Sequence, residues 1–325
     1  MKRITTSLLA VLSATPALAL DCSKAKTPVE KAICADPAAA AADRSMEDAY
    51  GRLAAGLSPD EKKALLASQR AWLKLRGNTC QGDNGITASC LVKRTEQRSR
   101  YLAGLPETGP GSGSRLRPIF RQESGPRLQY EIDVNALKFE APVLLGEKLF
   151  NARVDKLLED LPKNGPRDKA ELLYSAWLSL SMTYASPAFL SAHVSTYEFS
   201  GGAHGNSATS NINIDVARGK LATFADLFTA GAQSQFEDAC WTQFKEQKAE
   251  KGSGESMSAD DTKTYRATIK ESVAALENWS FSADKASIGF DPYALGAYAE
   301  GTYSCDFDEQ MLKRLRKPDS LLPLP

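Results

Sequence analysis

Arg127-Leu128-Gln129-Tyr130-Glu131-Ile132-Asp133-Val134 alternates apolar and polar side chains, with Leu128, Tyr130, Ile132 and Val134 in step. A period of two places those four on one face of a half-buried strand. Everything upstream follows another grammar. Residues 20–104 are rich in Ala, Leu, Lys and Arg and hold three helix starts. Thr27-Pro28-Val29-Glu30 and Ser58-Pro59-Asp60-Glu61 are capping boxes with proline at the first helical position, and Asp36-Pro37 is a third N-cap. They predict helices near 28–34, 37–55 and 59–77, with a fourth near 87–103. Pro106, Gly109, Pro110, Gly111, Gly113, Gly125 and Pro126 then make 106–126 read as a Gly/Pro/Ser linker. The opening strand therefore marks a switch of domain.

Downstream, helical periodicity runs from Leu144 to Leu161, and strands are predicted at Tyr174 to Tyr184 and Ser191 to Phe199. Ile212, Ile214 and Val216 alternate in a further strand. A short helix opens at Phe224, and two longer ones follow near 231–250 and 259–278. Ser287 to Phe290 and Thr302 to Phe307 are late strands, and Asp308 to Arg316 a final helix. Strands and helices without regular βαβ alternation define an α+β class. The expected architecture is a small disulfide-stapled all-helical N-terminal domain, 20–105, and a larger domain, 127–325, of mainly antiparallel sheet packed with helices.

Residues 1–19 read as a signal peptide: Lys2 and Arg3, a short apolar stretch, and Ala17-Leu18-Ala19 as cleavage site. A periplasmic or secreted location follows, with no later apolar run long enough to span a membrane. All six cysteines lie beyond that site, and an even count in an exported chain favours disulfides over metal thiolates. The simplest pairing is local: Cys22 with Cys34, Cys80 with Cys90, Cys240 with Cys305. The first four allow three connectivities. Equal numbers of basic and acidic residues, 40 each, give no electrostatic footprint for nucleic acid.

In the helical part, Gln69, Trp72 and Arg76 share one helix face, with Cys80 a turn later. Trp72 serves either as the anchor of a recognition face or, as is usual in small domains, as core, with Arg76 bonded to carbonyls or a carboxylate. The run Asp21-Cys22, Thr27-Pro28-Val29-Glu30-Lys31-Ala32-Ile33-Cys34-Ala35-Asp36, Asp43, Tyr50, Gln69-Arg70-Ala71-Trp72-Leu73, Arg76, Cys80 and Cys90 resembles the N-terminal domain family of the lysozyme inhibitor LprI. The resemblance implies an envelope-exposed helical domain related to an inhibitor of lysozyme.

In the larger part, Tyr197-Glu198-Phe199 runs into Ser200-Gly201-Gly202-Ala203-His204-Gly205-Asn206. The glycines permit positive φ and close approach. His204 either holds a tight structural turn or presents a binding loop; a base would need partners the sequence does not supply. This segment, with Ile212-Asn213-Ile214-Asp215, Phe224-Ala225-Asp226-Leu227-Phe228 and the block from Gly289 to Gly301, resembles the extracytoplasmic domain of the anti-sigma factor RsiV. That resemblance implies a lysozyme-binding module, with Tyr197, Gly201, Gly202, His204 and Asn206 as candidate partner-binding residues. Phe290, Tyr293 and Tyr298 are expected mainly as core over a sheet end, with gripping of a glycan or protein the alternative.

No H-x-x-x-H, C-x-x-C, G-x-S-x-G, Walker loop or dinucleotide fingerprint occurs, so no metal, cofactor or catalytic residue is expected. Glu198 and Asp215 form a possible carboxylate pair of a kind too common to weigh. The expectation is an exported cell-envelope protein that binds and inhibits lysozyme-type muramidases without catalysis. The alternatives are a peptidoglycan- or envelope-protein-binding accessory module, and a hydrolase using His204.

Overall fold

A computed structural model describes residues 20–83, 85–124, 130–161, 174–252 and 257–322. The expected leader, 1–19, and Leu128 of the opening strand lie outside the described residues. Contacts divide the chain into two compact units: residues up to Gly56 with Leu73–Ser99, and Leu57–Trp72 with Arg100 to the C-terminus.

The first unit holds α1 (Pro28–Ala35), α2 (Pro37–Ala55), the C-terminal part of α3 (Pro59–Thr79), a two-stranded ribbon of β1 (Gln81–Gly82) and β2 (Gly85–Ile86), and most of α4 (Ala88–Leu102). The predicted caps are present. Thr27 Oγ1 accepts from the Glu30 amide at 3.2 Å, and the Glu30 carboxylate accepts from the Thr27 amide at 2.9 Å. Asp36 accepts from the Ala39 amide at 2.9 Å. Ile33, Ala39, Cys80 and Leu91 form a small core, and the disulfides Cys22–Cys34 and Cys80–Cys90 staple it. A unit of this size has room for only a small core, which is where disulfides contribute most. Arg76 is buried and donates to the Asp43 carboxylate at 2.8 Å and the Thr95 hydroxyl at 2.9 Å, so its role is structural.

The second unit is built on a six-stranded sheet. Its strands are β3 (Leu116–Ser124), β4 (Tyr130–Phe139), β5 (Tyr174–Ala185), β6 (Phe189–Phe199), β7 (Asn206–Asp215) and β8 (Lys220–Leu221), in that spatial order. Only β4 and β5 run parallel, because α5 (Leu145–Asp160) lies in the crossover between them. The helices α6 (Phe224–Leu227), α7 (Ala232–Glu250) and α8 (Ala259–Ala274) precede a second sheet. It contains β9 (Trp279–Phe281), β10 (Lys285–Phe290) and β11 (Tyr303–Asp308), ordered β11-β10-β9, and α9 (Glu309–Leu315) ends the fold. The main core is aromatic: Trp279 packs at 5.0 Å from both Phe236 and Phe307. Cys240–Cys305 ties α7 to β11. Gln243 and Gln247 of α7 exchange amide hydrogen bonds with Asp306 and Ser304, blunting the exposed edge of β11.

One expectation is corrected. Part of the segment read as a linker is β3, paired in register with β4 from Leu116↔Phe139 to Ser124↔Glu131. Leu116, Pro118 and Phe120 point inward in alternation, and Pro118 is tolerated because β3 is an edge strand. The Gly/Pro/Ser residues before it are docked as well. The amides of Glu107, Thr108 and Gly111 donate to carbonyls of Met182, Thr183 and Ala185. Ser112 and Ser114 bond to the fully buried carboxylate of Glu147 on α5. Turn composition signalled irregular backbone correctly, but backbone held by these hydrogen bonds is not a free tether.

Candidate functional site

The β6–β7 hairpin ends in the glycine-rich loop. After the last cross-strand pair, Glu198↔Asn206, the chain turns through Gly201 (φ 107°) and Gly202 (φ 101°). Both lie in the left-handed region open to glycine at little cost. Gly205 is demanded by contact: a Cβ there would sit 2.3 Å from the Tyr197 ring. Tyr197 in turn stacks on Trp177 of β5, rings 5.8 Å apart and 10° from parallel, as the register Trp177↔Tyr197 dictates. Asn206 is exposed.

His204 is held from a second direction. Its Nδ1 donates to the Gly205 carbonyl at 3.0 Å, which leaves Nε2 to accept from the Tyr293 hydroxyl at 3.3 Å. The imidazole stacks on Tyr298 at 3.9 Å and 14°. Tyr293 and Tyr298 belong to the loop after β10. Asp291 pins that loop to β7 by accepting from the Thr209 amide at 2.8 Å and the Thr209 hydroxyl at 2.9 Å. At its far end, Glu300 accepts from Lys248 Nζ at 2.7 Å, the Ala297 amide at 2.9 Å and the Tyr303 hydroxyl.

The expectation for the aromatic run is therefore split. Phe290 is core, 3 % exposed, but Tyr293 is 64 % and Tyr298 37 % exposed. Tyr293 is also the one non-glycine among the described residues with positive φ, 76°. Backbone strain of about 1 kcal/mol persists where surrounding contacts enforce it, commonly at recognition sites. Trp177 is 36 % exposed as well, so two groups of rings are accessible, Trp177 with Tyr197 and His204 with Tyr293 and Tyr298.

Other candidates are placed elsewhere. Glu198 opens the hairpin and Asp215 closes it, paired with Asn206 and Phe189 respectively. Nine residues of strand put them roughly 30 Å apart, far beyond the ~5–9.5 Å of a glycosidase pair. His193 lies mid-strand with Nδ1 at 3.0 Å from Asn211 Oδ1. Trp72 is half-buried. Among the described residues no group of three His, Cys, Asp or Glu is poised for a metal ion, and no helix is long and apolar enough to cross a membrane. Trp177 was not singled out from sequence; the cross-strand register alone pairs it with Tyr197.

The Glu300 anchor sets an acid limit. Burial alone would raise its pKa, but Lys248, the Tyr303 hydroxyl and the Ala297 amide outweigh burial and hold it at about 2 against an ordinary 4.5. Its contribution is complete above about pH 4.5 and is lost as pH falls from there through about 2. Thermal unfolding across that range should show the wild type losing about 2–3 kcal/mol more than Glu300→Gln. Equal losses would remove Glu300 from the loop's support.

The molecule so far is a disulfide-stapled α+β protein with exposed aromatic side chains around a glycine-rich hairpin loop. Residues 22–102 match the family described as lysozyme inhibitor LprI. Residues 225–308 match a protein family of unknown function, DUF3298. Similar solved structures include a DUF3298 family protein from Pseudomonas aeruginosa PAO1, 17% identical over 65% of this chain and 98% of that one, with a TM-score of 0.46. A DUF3298 family member from Bacteroides fragilis NCTC 9343 is 14% identical over 65% and 96%, with a TM-score of 0.45. No curated protein matches the chain. The two-part reading of the sequence thus stands, with a lysozyme-inhibitor-like helical segment and a C-terminal segment that matches a family of unknown function. The three disulfides suit an oxidising, extracytoplasmic compartment.

Proposed function

We propose that the protein is exported by cleavage near Ala19 and binds and inhibits muramidases of lysozyme type. It acts by steric occlusion of the glycan cleft, with no chemistry of its own. The match of residues 22–102 to a lysozyme inhibitor family carries this reading. The helical part, 20–105, and the sheet-bearing part from β3 onward, taken as RsiV-like, each contribute contacts. In the latter they centre on Tyr197, Gly201, Gly202, His204 and Asn206, joined by Tyr293, Tyr298 and Trp177. Exposed, rigid aromatic side chains are the usual anchors of protein interfaces.

The same rings favour a second reading. Pyranose faces stack on exposed tryptophan and tyrosine, so a peptidoglycan-binding accessory role has the stacked Trp177–Tyr197 pair in its support. One experiment separates the two. Purified 20–325 is mixed with lysozymes of several structural classes, and muramidase rate and binding heat are recorded beside sedimentation with insoluble peptidoglycan. Saturable binding with inhibition of at least one class is expected. Sedimentation with peptidoglycan and unchanged kinetics across the panel would replace inhibition with the accessory role.

A further inference from the structure

A groove of about 700 Å³ lies along the second unit, lined by none of the aromatic-loop side chains. It wraps the free edge of β7. Ile214 faces α5, where its side chain would be 3.1 Å from a Cβ placed on Gly146. Asn213, one residue earlier, points to the opposite face and donates to the carbonyls of Leu276 and Trp279, both at 2.7 Å. Arg153 on α5 forms one lip, and Glu277 in the 3-10 turn Leu276–Asn278 forms the other. Both are exposed, and neither has an ion-pair partner among the described residues.

Between the lips the sheet is unfinished. β8 pairs only with Ile214 and Asp215, the Ala222 amide takes the Asn213 carbonyl, and Asp291 takes the Thr209 amide. Residues 209, 211 and 213 share the outward direction. The amide and carbonyl of Asn211 and the carbonyl of Thr209 therefore face the groove without a backbone partner among the described residues. An open strand edge is a template for another strand.

We propose that this groove captures a short extended peptide that adds to the β7 edge and carries one acidic and one basic side chain. Successive side chains of a strand project to opposite faces. A peptide bound there sends one residue toward Arg153 and the next toward Glu277. The acidic and basic residues must therefore be adjacent, or separated by an even number of residues, and a peptide with a single residue between them presents both charges to the same lip. The partly buried Phe224 and the exposed Leu221 complete an apolar wall for the flanking side chains.

The inference is independent of muramidase binding, and its test reads the two apart. The probes are two blocked hexapeptides of one composition, acetyl-Val-Thr-Glu-Lys-Thr-Val-amide and acetyl-Val-Glu-Thr-Lys-Thr-Val-amide, titrated into the 20–325 protein by calorimetry. The first should bind saturably and at least about tenfold more tightly than the second. Arg153→Glu and, separately, Glu277→Lys should each weaken it about tenfold, with thermal unfolding and muramidase inhibition unchanged, because both side chains are exposed. N-methylation of the peptide at alternate residues should abolish binding in one of its two phases and spare it in the other. No binding by either peptide, equal binding by both, or indifference to both charge reversals would each overturn the proposal.

Discussion

Tyr293→Gly is expected to weaken binding to an inhibited muramidase by about 10–100-fold, the range of a central aromatic anchor, while leaving the protein as stable or slightly more so. The reasoning joins two observations. Tyr293 holds φ at 76°, a conformation that costs a bulky residue about 1 kcal/mol and glycine almost nothing. Its ring is 64 % exposed, touches only the rings of His204 and Tyr298 among the described residues, and makes one long hydrogen bond there, to His204, so the fold loses little when the ring is removed. On the proposed function, the strain at Tyr293 is accounted for by what its ring touches outside the chain. Calorimetric titration beside urea unfolding gives both numbers. A clear loss of stability, above about 1 kcal/mol, would make Tyr293 a structural residue. Retained affinity would move the interface away from this loop. His204→Ala provides a graded companion, since it removes the ring stacked on Tyr298 while leaving both tyrosines in place.

Glu147→Ala should cost about 3–5 kcal/mol of stability, and Glu147→Gln nearly as much. The carboxylate is fully buried and accepts five hydrogen bonds. Oε1 takes the Ser112 hydroxyl at 2.7 Å and the Ser114 amide at 3.0 Å. Oε2 takes the Ser114 hydroxyl at 2.6 Å and the amides of Val143 and Leu144 at 3.0 and 3.2 Å. Alanine leaves the buried Ser112 hydroxyl and the part-buried amides of Ser114, Val143 and Leu144 without this acceptor, while the Ser114 hydroxyl retains the Ala141 carbonyl at 3.2 Å. Glutamine places an NH₂ group against donors at one of the two positions, so it cannot restore the set. Burial alone would raise the Glu147 pKa. The hydroxyls of Ser114 and Ser112 and the amides of Ser114 and Leu144 outweigh it and hold the group below its ordinary value. Its stabilisation is therefore present above the ordinary carboxylate pKa and is lost as pH falls through the depressed one. Urea unfolding near neutral pH measures the effect. A cost under about 1 kcal/mol for both variants would show that the segment before β3 is docked by other means.

That segment shows where composition misleads. Glycine, proline and serine in density signal backbone outside regular structure, and residues 107–114 are indeed irregular. Whether such backbone hangs free or is bound depends on partners far away in sequence: the end of β5 and the first turn of α5. The alternation of Leu116, Pro118 and Phe120 was available as a strand signal, but proline and the surrounding turn residues masked it. β9 is three residues long, too short for any period to be read.

Locally encoded features were legible from the chain alone. The capping boxes at Thr27 and Ser58, the N-cap at Asp36 and the alternation around Ile132 and Ile212 depend on neighbours within a few residues, so they survive without knowledge of the rest. Clustering made local pairing of the six cysteines the simplest choice, and the structure selects it from the three connectivities open to the first four. The glycine-rich loop could be picked out, but not its surroundings. Tertiary structure alone decided that Trp177 would stack on Tyr197, that Asp291 would bring Tyr293 and Tyr298 beneath His204 from nearly ninety residues away, and that Glu198 and Asp215 would stand at opposite ends of one hairpin. Strand register and loop docking are set by the summed burial of whole faces, and no short window of sequence contains that sum.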